Sequence, residues 1–141
     1  MALDPMTGVA AAADARARRS AALVRVRAAA ERGDFRHCLA DLFTEAARDP
    51  ALMRLHIWRV EQAAFDNKTS LCKRHARLAA QWCGTDAGRG GTLTLAWLLD
   101  GRTGGARLSA WLMAISFDLK DEKGGHPFVP SGADPFAALR T

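Results

Sequence analysis

Arginine is the residue type with the most chemistry to offer here, and its spacing is uneven. Arg16, Arg18, Arg19, Arg25, Arg27 and Arg32 share one alanine-rich stretch, residues 10–32, that has neither proline nor glycine. A second basic group follows at Lys68, Lys73, Arg74, Arg77, Arg89, Arg102 and Arg107. A guanidinium presents its N–H donors in a planar fork that fits phosphate or carboxylate oxygens. Arginine is rarely buried unless paired, so a hydrophobic core accounts for neither group. Two basic surfaces on a small chain point to a polyanion, with nucleic acid the first candidate.

The local balance sharpens this. The chain has 141 residues and a formal net charge of +5. Residues 14–34 hold six basic and three acidic residues, and residues 67–107 hold seven and two. Between them, residues 35–66 are close to neutral, with four basic residues (Arg36, Arg48, Arg54, Arg59) against five acidic ones. Glu31 and Asp14 are too few to pair the first group at i,i+4 spacing. Phosphate contact is therefore favoured over a merely solvated helix.

Other residues invite chemistry less strongly. Cys72 and His75 stand at i,i+3 with Cys83 further along, and His37-Cys38 sits elsewhere. None has the C-x2-C or H-x3-H spacing of a structural zinc site, so buried cysteines acting as small apolar residues are expected, with no metal and no cofactor. Trp58, Trp82, Trp97 and Trp111 each lie within an apolar period and are expected in the core rather than as a stacking platform. In Gly101-Arg102-Thr103-Gly104-Gly105-Ala106-Arg107, backbone N–H groups opening a helix are placed to meet a phosphate, flanked by Arg102 and Arg107. An ordinary interhelical turn is the plainer reading of that run. No Ser/His/Asp order, paired carboxylates or phosphate loop with Lys-Ser/Thr supports catalysis, and no enzyme is expected.

The elements that must position these residues are helical. Residues 1–9 read as a disordered start, and residues 10–33 as a basic helix ended by Gly33. Residues 34–118 read as a helical core domain, and residues 119–141 as a Gly/Pro-rich tail. Phe35, Leu39, Leu42, Phe43 and Ala46 keep one buried face. Asp49-Pro50 opens a third helix carrying Leu52, Leu55, Ile57 and Val60 inward, and Thr69 or Ser70 caps the next. Residues 92–100 fit strand or buried helix, and helix is preferred because a lone strand would have no partner. Phe128 and Phe136 of the tail are apolar enough to pack back on the body. The expectation is an all-α fold of five to six helices in one compact domain. Three unpatterned cysteines, no apolar leader and no long apolar run imply a soluble cytoplasmic protein.

The order of an Ala/Arg helix, a Gly-Asp-Phe break, a Leu-x-x-Leu-Phe helix and Arg48-Asp49-Pro50-Ala51-Leu52-Met53-Arg54-Leu55 resembles the integration host factor of actinobacteria over roughly half the chain. The resemblance implies a small nucleoid protein with a helix-two-turns-helix module akin to that of a small-subunit ribosomal protein. Two stretches fit the module. One is residues 57–84; the other is 95–116, which supplies the glycines of the turn.

The expected function is low-specificity binding of double-stranded DNA, in a nucleoid or host-factor role that the resemblance adds. Arg18, Arg19, Arg25 and Arg27 are expected along the phosphate backbone. Lys73, Arg74, Arg77, Arg102 and Arg107 form a second contact surface, with Gly104 and Gly105 allowing close approach. The alternatives are a helical ligand-binding or interaction module resembling the C-terminal half of TetR-type regulators, or a phage or plasmid adaptor whose tail captures a protein partner.

Overall fold

A computed structural model describes residues 5–86 and 88–118, and among these the protein is all-α with seven helices. The first, α1 (Pro5–Glu31), starts upstream of the expected residue 10. Proline suits a first helical turn because its missing N–H would have no partner there. At 27 residues, α1 is about 40 Å long at 1.5 Å per residue. It buries only Ala22, Val26 and Ala29, one stripe at three- and four-residue spacing near its C-terminal end. Gly33, at φ 74°, then turns the chain, with Gly33 N–H donating to Ala30 and Asp34 N–H to Ala29. Asp34 caps α2 (Phe35–Ala46) by accepting from the His37 amide. Cys38, Leu42 and Ala46 form the buried stripe of α2, and its strongest partner is α1.

The expected third helix is broken in two. Asp49 caps the single turn α3 (Pro50–Met53), accepting from the Ala51 amide at 3.0 Å. The chain then extends at His56 before α4 (Ile57–Phe65) begins. The break has a clear cause. Leu55 C=O accepts from Leu95 N–H and Ile57 N–H donates to Leu93 C=O, both at 2.9 Å, making an antiparallel bridge between His56 and Thr94. The ambiguous run 92–100 is thus extended at Thr94 and helical immediately after, in α6 (Leu95–Leu98).

Helix α5 (Thr69–Trp82) starts one residue earlier than its expected cap. Lys68 occupies the cap position without a side-chain bond, and Thr69 Oγ1 instead accepts from Gln62 Nε2 of α4. A 3-10 turn over Gly101–Thr103 precedes α7 (Ala106–Asp118). Ile57, Val60, Leu95, Leu98, Trp111 and Ile115 are fully buried in one core cluster. Of the four tryptophans, Trp111 alone is fully buried. Trp58 and Trp97 are half-buried, and Trp82 is 48% exposed against the edge of Phe117, which corrects the expectation of four core rings.

One polar group lies inside this core. His75 of α5 is fully buried, its Nδ1 2.7 Å from Glu61 Oε2 of α4 and its Nε2 2.6 Å from Asp118 Oδ2 of α7. Burial by itself lowers the imidazole pKa, but the hydrogen bonds and charges of the two carboxylates outweigh it and leave the pKa raised. The two carboxylates thus favour the charged ring, which bridges α4, α5 and α7. Asn67 Nδ2 also donates to Glu61 Oε2, and burial beside Glu61 pushes the Cys72 thiol pKa up. This clamp fixes the rotation of α5, so that Arg74 and Arg77 face solvent.

No helix among the described residues is long and apolar enough to cross a membrane. The expected tail of residues 119–141, with Phe128 and Phe136, lies outside the described residues, as do residues 1–4 of the expected disordered start, whose residues 5–9 instead open α1.

Candidate anion-binding face

The arginines of α1 divide by the side of the helix on which they stand. At 100° per residue, Arg18 and Arg25 flank the buried stripe on one side, and Arg16, Arg19 and Leu23 on the other. Arg18 and Arg25 lean toward α2 and α3, where acids wait. Arg18 meets Asp49 at 2.8 Å and Asp14 at 3.1 Å, and Arg25 meets Glu45 at 2.7 Å. Arg27 is shared by Glu31 and Asp66, whose hydrogen bonds raise its pKa further. Three of the four α1 arginines expected on a phosphate backbone are thus held by carboxylates.

The other side of α1 is different. Here α1 faces the break between α3 and α4, and Arg16, Arg19, Arg54, His56 and Arg59 line one cleft of about 510 Å³. Its remaining lining is Ala12, Ala15, Ser20, Leu23 and Leu55, and no carboxylate takes part. Arg19 is steadied by the Ala51 carbonyl at 3.4 Å. Arg16 and Arg54 are exposed and have no ion pair or hydrogen bond to the described residues. The backbone bridge at His56 creates this geometry, because an unbroken helix would send Arg54 and Arg59 to different faces.

The cationic surface continues across α4 onto α5. The guanidinium of Arg59 and the ammonium of Lys73 each lie 5.1 Å from the centre of the Trp58 ring, a pair of cation–π contacts that links cleft to helix. Arg77 follows Lys73 one turn later, and Arg74 is beside it; both are exposed and neither has a carboxylate partner among the described residues. The loop carrying Arg89 is pressed against the same stretch of α5. A Cβ on Gly90, at φ 82°, would stand 2.2 Å from the Lys73 carbonyl oxygen. Gly91 packs on the Lys73 side chain. Gly90 is thus required by close backbone approach.

The turn at 101–107 resolves toward its plainer reading. Asp100 caps the 3-10 turn and grips Arg102 through three side-chain hydrogen bonds of 2.7 to 3.2 Å. Those bonds hold the Asp100 pKa far below the usual carboxylate range and raise that of Arg102. Arg107 stacks on Trp97 at 4.7 Å, donates to the Trp97 carbonyl and lies 3.7 Å from Asp100. Gly104 and Gly105 both take positive φ, which the turn itself demands. Arg102 and Arg107 are therefore both held at Asp100, in a turn that Gly104 and Gly105 complete.

Of the residues singled out from the sequence, Arg19 lines the carboxylate-free cleft, and Lys73, Arg74 and Arg77 stand on α5 without a carboxylate partner among the described residues. Arg18, Arg25, Arg27, Arg102 and Arg107 are each within ion-pair distance of a carboxylate. Arg16, Arg54, His56 and Arg59 were missed as contacts. Arg54 and Arg59 sit in a stretch whose average charge is near zero, but its acids Glu45 and Asp49 turn toward α1 on the other side. Both His75 nitrogens lie against carboxylates, and the described residues hold no group of three His, Cys, Asp or Glu side chains placed around one point. Cys38 and Cys72 are buried and free. Comparison with protein-family models, curated proteins and solved structures found no match to this chain.

Proposed function

We propose that this chain binds double-stranded nucleic acid, DNA in the first instance, through phosphate contacts that carry little sequence preference. The observation that carries this reading is the cleft of Arg16, Arg19, Arg54 and Arg59, whose lining holds no carboxylate, joined through Trp58 to Lys73, with Arg74 and Arg77 exposed on the same helix. Unpaired arginines displace condensed counterions from a duplex, and that release supplies affinity independent of sequence. Arg18, Arg25 and Arg27 act as scaffold, setting α1 on α2 and α4. The half-buried Trp58 is flanked by two cations, which favours backbone contact over base stacking. A binder of this type suits an architectural role on the nucleoid.

The test is fluorescence anisotropy of a labelled random-sequence duplex over a salt series. With about five to seven phosphates neutralised, log K is expected to fall against log salt with a slope of about −4 to −6. An affinity that does not move with salt contradicts the reading.

A further inference from the structure

We infer that the cleft between α1 and the α3–α4 break is a seat for an oligophosphate group, a linear pyro- or triphosphate, within the wider cationic face. The inference rests on the proposed phosphate-binding role and narrows it. Donors enter the cleft from two directions: Arg16, Arg19 and Ser20 from α1, and Arg54, His56 and Arg59 from the following segment. No carboxylate lines it. Two of these cations are held in place before any ligand arrives, Arg19 by the Ala51 carbonyl and Arg59 by the Trp58 ring. Preorganised donors lose less freedom on binding, which favours a compact anion.

Charge density decides between a diester backbone and condensed phosphate. A single nucleic-acid strand carries one charge per about 3.4 Å of helix axis. A rounded cleft of about 510 Å³ is about 10 Å across, so it meets about three charges of a single diester strand at that spacing. Four guanidinium groups line the same space. A pyrophosphate or triphosphate places more negative charge in that volume and leaves fewer cations uncompensated. The bidentate fork of arginine suits its non-bridging oxygens. Two sources share this chemistry: a free nucleoside triphosphate and the 5′-triphosphate end of a strand.

The experiment uses the full chain at fixed ionic strength. Calorimetric titration compares sodium tripolyphosphate, pyrophosphate and orthophosphate on the wild-type protein, on the pair Arg16→Gln/Arg54→Gln and on the pair Arg74→Gln/Arg77→Gln. All four side chains are exposed, so both variants are expected to melt near the wild-type temperature. Tripolyphosphate is expected to bind at least about tenfold tighter than orthophosphate, to lose about tenfold or more in the cleft pair, and to be unchanged in the α5 pair. Equal affinity for the three anions, or an equal loss in both pairs, overturns the seat. ATP matching tripolyphosphate assigns the free source; a 5′-triphosphate strand outbinding the same strand with a 5′-hydroxyl assigns the strand end. If neither exceeds orthophosphate, the seat is again overturned. Salt-sensitive duplex binding without tripolyphosphate preference defeats the seat alone; tripolyphosphate binding without duplex binding defeats the wider reading and leaves the seat.

Discussion

The two long sides of α1 carry the same residue type and do opposite things with it. Toward α2 and α3, Arg18 and Arg25 meet Asp49 and Glu45, and the surface is close to neutral. Toward the α3–α4 break, Arg16 and Arg19 meet Arg54, His56 and Arg59, and the charge accumulates. Exposed ion pairs like Arg25–Glu45 add only about 0.2–1 kcal/mol each, so the first side gains register more than stability. The second side has unrelieved repulsion, which a bound anion would remove. Arginine content alone does not mark a binding surface; the position of the acids does.

Substitutions separate the two sides, and the largest effect is expected far from either. His75→Gln leaves Glu61 and Asp118 without the shared cation, and removing one member of a buried charged group costs about 3–5 kcal/mol. Urea unfolding monitored by far-ultraviolet circular dichroism is the measurement, and an unchanged midpoint refutes the clamp. Next comes Gly90→Ala. Its Cβ would collide with the Lys73 carbonyl in a left-handed backbone conformation, at a cost of about 2 kcal/mol or more. Loss of hydrogen-exchange protection along α5 near Lys73 would report it.

The clamp also sets a pH dependence. The folded-state pKa of His75 is raised, so its stabilisation is complete below the ordinary histidine value of about 6.5 and is lost as pH rises through the folded value. Glu61 on α4 and Asp118 on α7 face it, Cys72 on α5 lies beside Glu61, and thiol deprotonation at still higher pH would add to the loss. Melting temperature is expected to decline from near neutral pH into the alkaline range, and to lose that slope in His75→Gln. A flat profile for the wild-type protein counts against an imidazolium. The smallest effect belongs to Glu45→Gln, which frees Arg25: stability should drop by less than about 1 kcal/mol, with a slight gain in duplex affinity by anisotropy.

Much of the architecture was legible in the residues. Leu42 and Ala46 of the expected face are buried, with Leu39 and Phe43 partly so and Cys38 taking the third buried place, and the Gly33-Asp34 stop and start and the Asp49-Pro50 cap appear where local chemistry places them. What escaped was non-local. The break at His56 depends on Leu93 and Leu95 reaching across to Leu55 and Ile57, and no local propensity announces it. The partners of Arg18 and Arg25 stand 31 and 20 residues away in the chain, out of reach of any i,i+4 reading. His75 looked like half of a weak Cys-x-x-His pair, because its true partners lie on two other helices. Lys73, Arg74 and Arg77 were recognisable because they share one exposed helix.

Two charge reversals of equal size test the account most directly. Arg16→Glu/Arg54→Glu and Arg18→Glu/Arg25→Glu change the net charge identically, so simple long-range attraction treats them alike. If the acid-free side is the contact surface, the first pair lowers duplex affinity by about 100-fold at moderate salt and flattens the salt slope by about 2, while the second changes affinity about tenfold or less. Equal losses in the two variants, or the greater loss in the second, would contradict the claim that the cations without carboxylate partners form the binding face.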